Sequence, residues 1–147
     1  MKPSRIVPIA CILLLAGLAP SLSAEDHGRQ CSYNSVAGTF GYEVTGTRNG
    51  VGPVAGAGQL TFHRDGSITD GKQTVSFNGV IADETYSGTY TVEADCSGSF
   101  TVVVQSPIAP RTSTVNLVWV SDGNAAKAIF ADPGTILTAD AKRIFRH

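Results

Sequence analysis

The feature that most constrains the fold is a series of short stretches in which apolar and polar side chains alternate. In the first of them, Phe40, Tyr42 and Val44 are separated by small or polar residues. A period of two places such apolar residues on one face of a β-strand. Turn-forming residues separate the stretches, and Asp65-Gly66 is a strong hairpin signal. The sequence therefore predicts an all-β domain.

The alternation predicts eight strands in series. They cover approximately residues 37–48, 54–63, 68–78, 86–93, 99–106, 114–121, 125–131 and 135–146. The connections are too short for the crossover of about a dozen residues that parallel neighbours need, so neighbouring strands are antiparallel. Only closure removes both exposed edges of such a meander. We therefore expect an antiparallel eight-stranded up-and-down barrel.

Residues 1–24 have the layout of a secretory signal peptide. Two basic residues precede an uncharged apolar run, residues 6–19, and small residues follow it up to Ala24. A run of about 14 residues is shorter than the roughly 20 that span a bilayer as a helix. We expect cleavage after Ala24, a β-barrel domain over residues 25–147, and a secreted or periplasmic location.

The cysteines predict one disulfide. Cys11 lies within the predicted signal peptide, so the exported chain keeps Cys31 and Cys96. An even pair in an oxidising compartment is most simply a structural disulfide. A redox-active pair needs close Cys-x-x-Cys spacing, and these two cysteines are far apart in the sequence.

The charge balance does not favour a nucleic-acid partner. The chain has 11 basic and 12 acidic residues and a net charge of −1. Its longest basic cluster is Lys142-Arg143, and binding to phosphates needs a larger basic surface. An eight-stranded outer-membrane barrel is an alternative that Phe145 near the C-terminus allows. Strand faces rich in threonine and serine favour a soluble barrel instead, so we expect no stable membrane insertion.

The sequence also resembles a group of known proteins in four places. The matching segments are Val36-Ala37-Gly38-Thr39-Phe40-Gly41-Tyr42, Gly58-Gln59-Leu60-Thr61-Phe62, Ser87-Gly88-Thr89-Tyr90-Thr91-Val92 with Asp95-Cys96-Ser97-Gly98, and Asp132-Pro133-Gly134-Thr135. They resemble small exported bacterial proteins of unassigned function. The architecture is similar to the barrel of allene oxide cyclase and dirigent proteins and, more distantly, to the calycins. The resemblance implies a barrel but no particular reaction.

Candidate catalytic residues are few. The histidines after the signal peptide are His27, His63 and His147, and His63 is interpreted as a residue flanking a turn. No Gly-x-Ser-x-Gly nucleophile motif occurs. Because the cysteines are expected to pair and the acids are scattered among turns, we expect no metal and no cofactor.

Glu43 is the weak catalytic candidate. Glu43, Glu93 and Asp140 are the acids that turns do not explain. A carboxylate pointing into a closed barrel would be desolvated and suited to acid–base chemistry. The alternative is a solvated residue on the polar face of its strand.

Aromatic residues are candidates for a ligand site. Tyr42, Phe62, Tyr90 and Trp119 are the candidate ligand-binding residues, in a set that also contains Phe77 and Phe100. An eight-stranded barrel either fills itself with such side chains or encloses one small molecule. Three functions therefore stay open: binding of a small apolar ligand, an allene oxide cyclase-like cyclase or isomerase, and a noncatalytic secreted interaction module.

Two exterior features are candidate interaction surfaces. The loop at residues 106–113 is the longest irregular segment and suits a partner. The sixth predicted strand is apolar on both faces, and Val118 and Val120 on its second face suggest a homo-oligomer.

Overall fold

The computed structural model describes residues 30–146. A short helix, α1 (Tyr33–Val36), precedes eight strands. The strands are β1 (Gly38–Arg48), β2 (Gly52–Phe62), β3 (Ser67–Phe77), β4 (Val80–Val92), β5 (Ser97–Gln105), β6 (Arg111–Val120), β7 (Ala125–Phe130) and β8 (Thr135–Phe145). Each pairs antiparallel with the next, and β1 pairs with β8. The predicted all-β, closed, eight-stranded barrel is confirmed.

Several predictions from the sequence fall on residues that lie outside this range. They are the signal peptide at residues 1–24, its cleavage after Ala24, and the positions of His27 and His147. Across residues 30–146, no helix is long and apolar enough to cross a membrane.

Strand β4 begins earlier than the sequence analysis predicted. Asn78 and Gly79 have φ angles of 49° and 91°, the left-handed conformation that two-residue hairpin turns require. The chain therefore enters β4 directly at Val80 instead of through a connector. The added residues include Glu84, which lies on the inward face of the strand.

The two ends of the barrel differ. We call the end with α1 and the β2–β3, β4–β5 and β6–β7 turns the helix end, and the opposite end, with residues 106–110, the loop end. At the helix end, Val36 of α1 is fully buried. The predicted disulfide is present there: Cys31, just before α1, is bonded to Cys96 in the β4–β5 turn, with Cα atoms 4.9 Å apart.

Arg143 of β8 also holds α1 in place. Its Nη2 donates to the carbonyl oxygens of Ser35 and Gly123, over 2.6 and 2.5 Å. Its guanidinium carbon lies 5.2 Å from the centroid of the Phe40 ring, in a cation–π arrangement. A covalent bond and a partly buried cation therefore both fix the helix over the barrel opening.

Inward side chains pack into two clusters. The helix-end cluster centres on Phe62, whose ring lies 5.5 Å from Phe40, 4.8 Å from Tyr90 and 5.8 Å from Trp119, edge to face in each case. This geometry is favourable for aromatic pairs. The loop-end cluster consists of Val44, Val54, Val75, Phe77, Ala82 and Leu137.

Candidate ligand-binding cavity

A cavity of about 60 Å³ lies in the barrel interior, and residues of the helix-end cluster line part of it. Its walls are mostly apolar, and they come from inward positions on every strand. The lining residues are Tyr42, Leu60, Phe62, Gln73, Tyr86, Phe100, Val102, Val104, Arg111, Ser113, Val115, Leu117, Ala126, Ala128, Phe130, Ala139 and Ala141.

Alanines on β7 and β8 account for much of the open space. Strand pairing sets Ala126 opposite Ala141 and Ala128 opposite Ala139, so four methyl groups form one patch of wall. Phe62, a large ring, contributes to the same lining. Protein interiors normally leave few voids larger than a water molecule. Here small side chains on two adjacent strands leave the space unfilled.

A chain of hydrogen bonds runs through the interior. Tyr86 Oη donates to Tyr42 Oη over 2.7 Å, and Tyr42 Oη donates to Gln73 Oε1 over 2.7 Å. Gln73 Nε2 donates to Glu84 Oε2 over 2.6 Å. Arg111 completes the chain through two hydrogen bonds to the same carboxylate. Each of the five side chains in this hydrogen-bonded series, those of Tyr86, Tyr42, Gln73, Glu84 and Arg111, therefore has at least one partner.

Glu84 is the inward-facing acid. The residue is 2% exposed, and Arg111 holds its carboxylate over 2.8 and 2.9 Å. Burial alone would raise its pKa, but hydrogen bonds from Arg111 and neighbouring polar side chains together bring the pKa below its ordinary value. The carboxylate stays ionised and paired, and it does not line the cavity. It is poorly placed to exchange a proton with a ligand.

The two cavity tyrosines are held in the neutral form. Burial raises the pKa of Tyr42 to about 12, and burial also raises the pKa of Tyr86 well above its ordinary range. Neutral hydroxyls of this kind orient polar groups but do not act as bases near neutral pH. The interior thus offers hydrogen bonds and apolar contact.

Ser113 differs from the other polar residues of the cavity. It is 2% exposed, and its Oγ has no hydrogen-bond partner among the described residues. A smaller cavity of about 20 Å³, towards the loop end, includes Arg48, Asp132 and Thr135 in its lining. Both cavities are lined by Gln73, Arg111, Ser113 and Phe130. Ser113 therefore lies at the boundary between the central cavity and the loop end.

The structure separates the four predicted ligand-binding residues into two pairs. Tyr42 and Phe62 line the central cavity. Tyr90 and Trp119 belong to the helix-end cluster and pack against Phe62 instead. Tyr90 Oη donates to the carbonyl oxygen of His63 over 2.6 Å. Of the wider aromatic set, Phe100 lines the cavity and Phe77 lies in the loop-end cluster.

The acids singled out from the sequence face the barrel exterior. Glu43, the weak catalytic candidate, is exposed on β1, because it alternates with inward-facing Tyr42 and Val44. Glu93 is exposed beyond the end of β4, and Asp140 is ion-paired with Lys127 on the surface. The expectation of an acid–base group at Glu43 therefore has no support from its position. Glu84 was missed because β4 was predicted to start too late.

Other predicted features lie away from the cavity. His63 Nε2 is 2.7 Å from Thr69 Oγ1 at the helix end. Val118 and Val120 are exposed, as the homo-oligomer hypothesis requires of them. In the described part of the chain, no group of three or more His, Cys, Asp or Glu side chains is arranged to hold a metal ion. Comparisons of the chain with protein-family models, with curated proteins and with solved structures gave no match.

Proposed function

We propose that this protein is an exported carrier that binds a small, mainly apolar molecule inside its barrel. The observation that carries the proposal is the apolar cavity beside the paired alanines Ala126–Ala141 and Ala128–Ala139. Concave, mostly apolar sites with a few convergent polar groups are the usual form of small-molecule sites. The predicted signal peptide and the Cys31–Cys96 disulfide support a location outside the cytoplasm.

The cavity volume limits the size of the ligand. A volume of about 60 Å³ is well below the roughly 150 Å³ of an engineered cavity that binds benzene. The group that enters is therefore a short or branched alkyl chain. A cyclase or isomerase is a weaker candidate, because the negative charge of the Glu84 carboxylate is already compensated by an ion pair with Arg111.

Native mass spectrometry of protein purified from its own host tests the proposal. We expect a retained small molecule in the wild type and in Ala55→Leu, a control at an exposed position of β2. Ala128→Leu fills the cavity and removes the adduct, while circular dichroism confirms that the barrel still forms. Absence of any adduct, combined with failure of small apolar probes to bind in vitro, would contradict the proposal.

A further inference from the structure

The hydroxyl of Ser113 is the one buried polar group of the central cavity's lining that lacks a hydrogen-bond partner among the described residues. A buried hydroxyl without a hydrogen bond is unfavourable, and in native structures such a group needs a specific explanation. Ser113 Oγ is buried, lacks a partner among residues 30–146 and lies in the wall of the cavity. Its donor and acceptor capacity is therefore available to a bound molecule.

The polar neighbours of Ser113 in the cavity wall are engaged elsewhere. Gln73 uses both ends of its amide, since Oε1 accepts from Tyr42 and Nε2 donates to Glu84. Arg111 offers only donors and cannot accept from Ser113; its Nη1 donates to Glu84 and to the carbonyl oxygen of Ala109, and its Nη2 donates to Glu84. No group among residues 30–146 accepts a hydrogen bond from the Ser113 hydroxyl, so a bound molecule can supply that acceptor.

The charges around the cavity argue against a charged ligand. The only ionisable cation in the lining of the central cavity is Arg111, and Glu84 already compensates it through two hydrogen bonds. A ligand carboxylate would lose its hydration without gaining an unpaired cation, which is strongly unfavourable. A pure hydrocarbon, in contrast, would leave Ser113 Oγ without a partner.

We infer that the ligand is a small uncharged oxygen-containing molecule, such as a short-chain ketone, ester or alcohol, whose oxygen accepts a hydrogen bond from Ser113 Oγ. Its alkyl part then faces the alanine patch formed by Ala126, Ala128, Ala139 and Ala141. This inference rests on the proposed function and specifies the chemistry of the same cavity.

Three probes of four heavy atoms each, all smaller than benzene as the cavity volume of about 60 Å³ requires, test the inference: acetone, isobutane and acetate. Binding is followed by NMR chemical-shift changes of residues lining the cavity in the wild type, in Ser113→Ala and in the control Ser87→Ala, whose residue is exposed on β4. We expect acetone to bind most tightly to the wild type. Ser113→Ala should weaken acetone binding about five- to tenfold, the effect of one lost hydrogen bond, and leave isobutane binding unchanged.

The outcomes separate this inference from the proposed function. Equal acetone affinity for the wild type and Ser113→Ala, or tighter binding of isobutane or acetate, overturns the assignment to Ser113 but still shows that the cavity binds a small molecule. Binding of none of the three probes to any folded variant overturns both. Ser87→Ala must behave as the wild type, because its side chain faces away from the cavity.

Discussion

Glu84 and Arg111 face each other inside the barrel, with Arg111 Nη1 2.8 Å from Glu84 Oε1 and Nη2 2.9 Å from Oε2. The guanidinium carbon of Arg111 also lies 5.6 Å from the centroid of the Phe77 ring. Removing two charges from water is costly, and a paired geometry with further hydrogen bonds offsets that cost. Arg111 lines the cavity and also contacts Phe77 of the loop-end cluster, so the ion pair connects these two parts of the interior.

Breaking this pair on one side should destabilise the barrel. Glu84→Gln leaves Arg111 without a compensating charge, and we expect the free energy of unfolding to fall by about 3 kcal/mol. Urea unfolding followed by the fluorescence of Trp119, the single tryptophan, measures the change. Glu43→Gln is the matched control, and because Glu43 is exposed its effect should stay within about 0.5 kcal/mol.

Removing both charges should cost less than removing one. In Glu84→Leu/Arg111→Met no unpaired charge remains, and apolar replacements of buried ion pairs are often neutral or stabilising. We expect the double variant to be more stable than Glu84→Leu in the same urea experiment. A double variant as unstable as the single one would show that Arg111 is not destabilising when it lacks Glu84.

Stability should also depend on pH through Glu84. Its pKa is lower in the folded protein than its ordinary value of 4.5, so the folded state binds this proton more weakly than the unfolded state. The resulting stabilisation is complete above pH 4.5 and is lost as the pH falls through the folded pKa. We expect Glu84→Gln to lose less stability than the wild type on acidification below pH 4.5. Parallel pH profiles of the two proteins would contradict this.

The buried tyrosines predict a loss of stability in alkali. Burial raises the pKa of Tyr42 from 10.0 to about 12, and burial raises those of Tyr86 and Tyr90 as well. A raised folded-state pKa stabilises fully below the unfolded value and loses that contribution as the pH rises through the folded value. Ultraviolet titration should show delayed ionisation of these tyrosines, and Tyr42→Phe should flatten the decline in stability between pH 10 and 12.

The disulfide should supply a large share of the stability. Cys31 and Cys96 are separated by 65 positions, and closing a loop of that length is worth about 4 kcal/mol in the chain-entropy account. The double variant Cys31→Ala/Cys96→Ala should lose that amount in urea unfolding. Wild-type protein reduced with dithiothreitol is the control and should lose a similar amount, since both lack the same covalent link.

Ser113→Ala should stabilise the ligand-free protein. The change removes a buried hydroxyl that has no partner among the described residues, so the gain is about 1 kcal/mol. Thermal unfolding of protein freed of ligand by refolding measures it. Ser87→Ala, at an exposed position, should leave the midpoint unchanged. Destabilisation by Ser113→Ala would indicate that the hydroxyl is satisfied in solution.

The sequence predicted strand faces better than positions along the barrel. Alternation placed Tyr42 on one face with Phe40 and Val44, and this face points inward. The depth of an inward-facing side chain depends on how far neighbouring strands are shifted against each other, which alternation does not encode. Tyr42 consequently reaches the cavity, whereas Trp119 packs at the helix end.

Strand boundaries explain the missed site residues. Ser113 was assigned to a loop because the sixth strand was predicted to begin at Thr114, yet β6 begins at Arg111. Glu84 precedes Tyr86 by two positions and shares its inward face. Extending the alternating pattern of β4 backwards from Tyr86 would have identified Glu84 as an inward-facing residue. The pairing of Ala128 with Ala139 is set by the register of β7 and β8 and has no local signal.

The closed helix end of the barrel restricts how a molecule can enter and leave the interior. Val36 of α1 and Phe40 of β1 are fully buried there, so the helix closes this end of the barrel. A molecule that reaches the cavity from the loop end must leave by the same route. Uptake and release of the proposed ligand would then be opposite directions of one path, as storage or delivery of a single molecule requires.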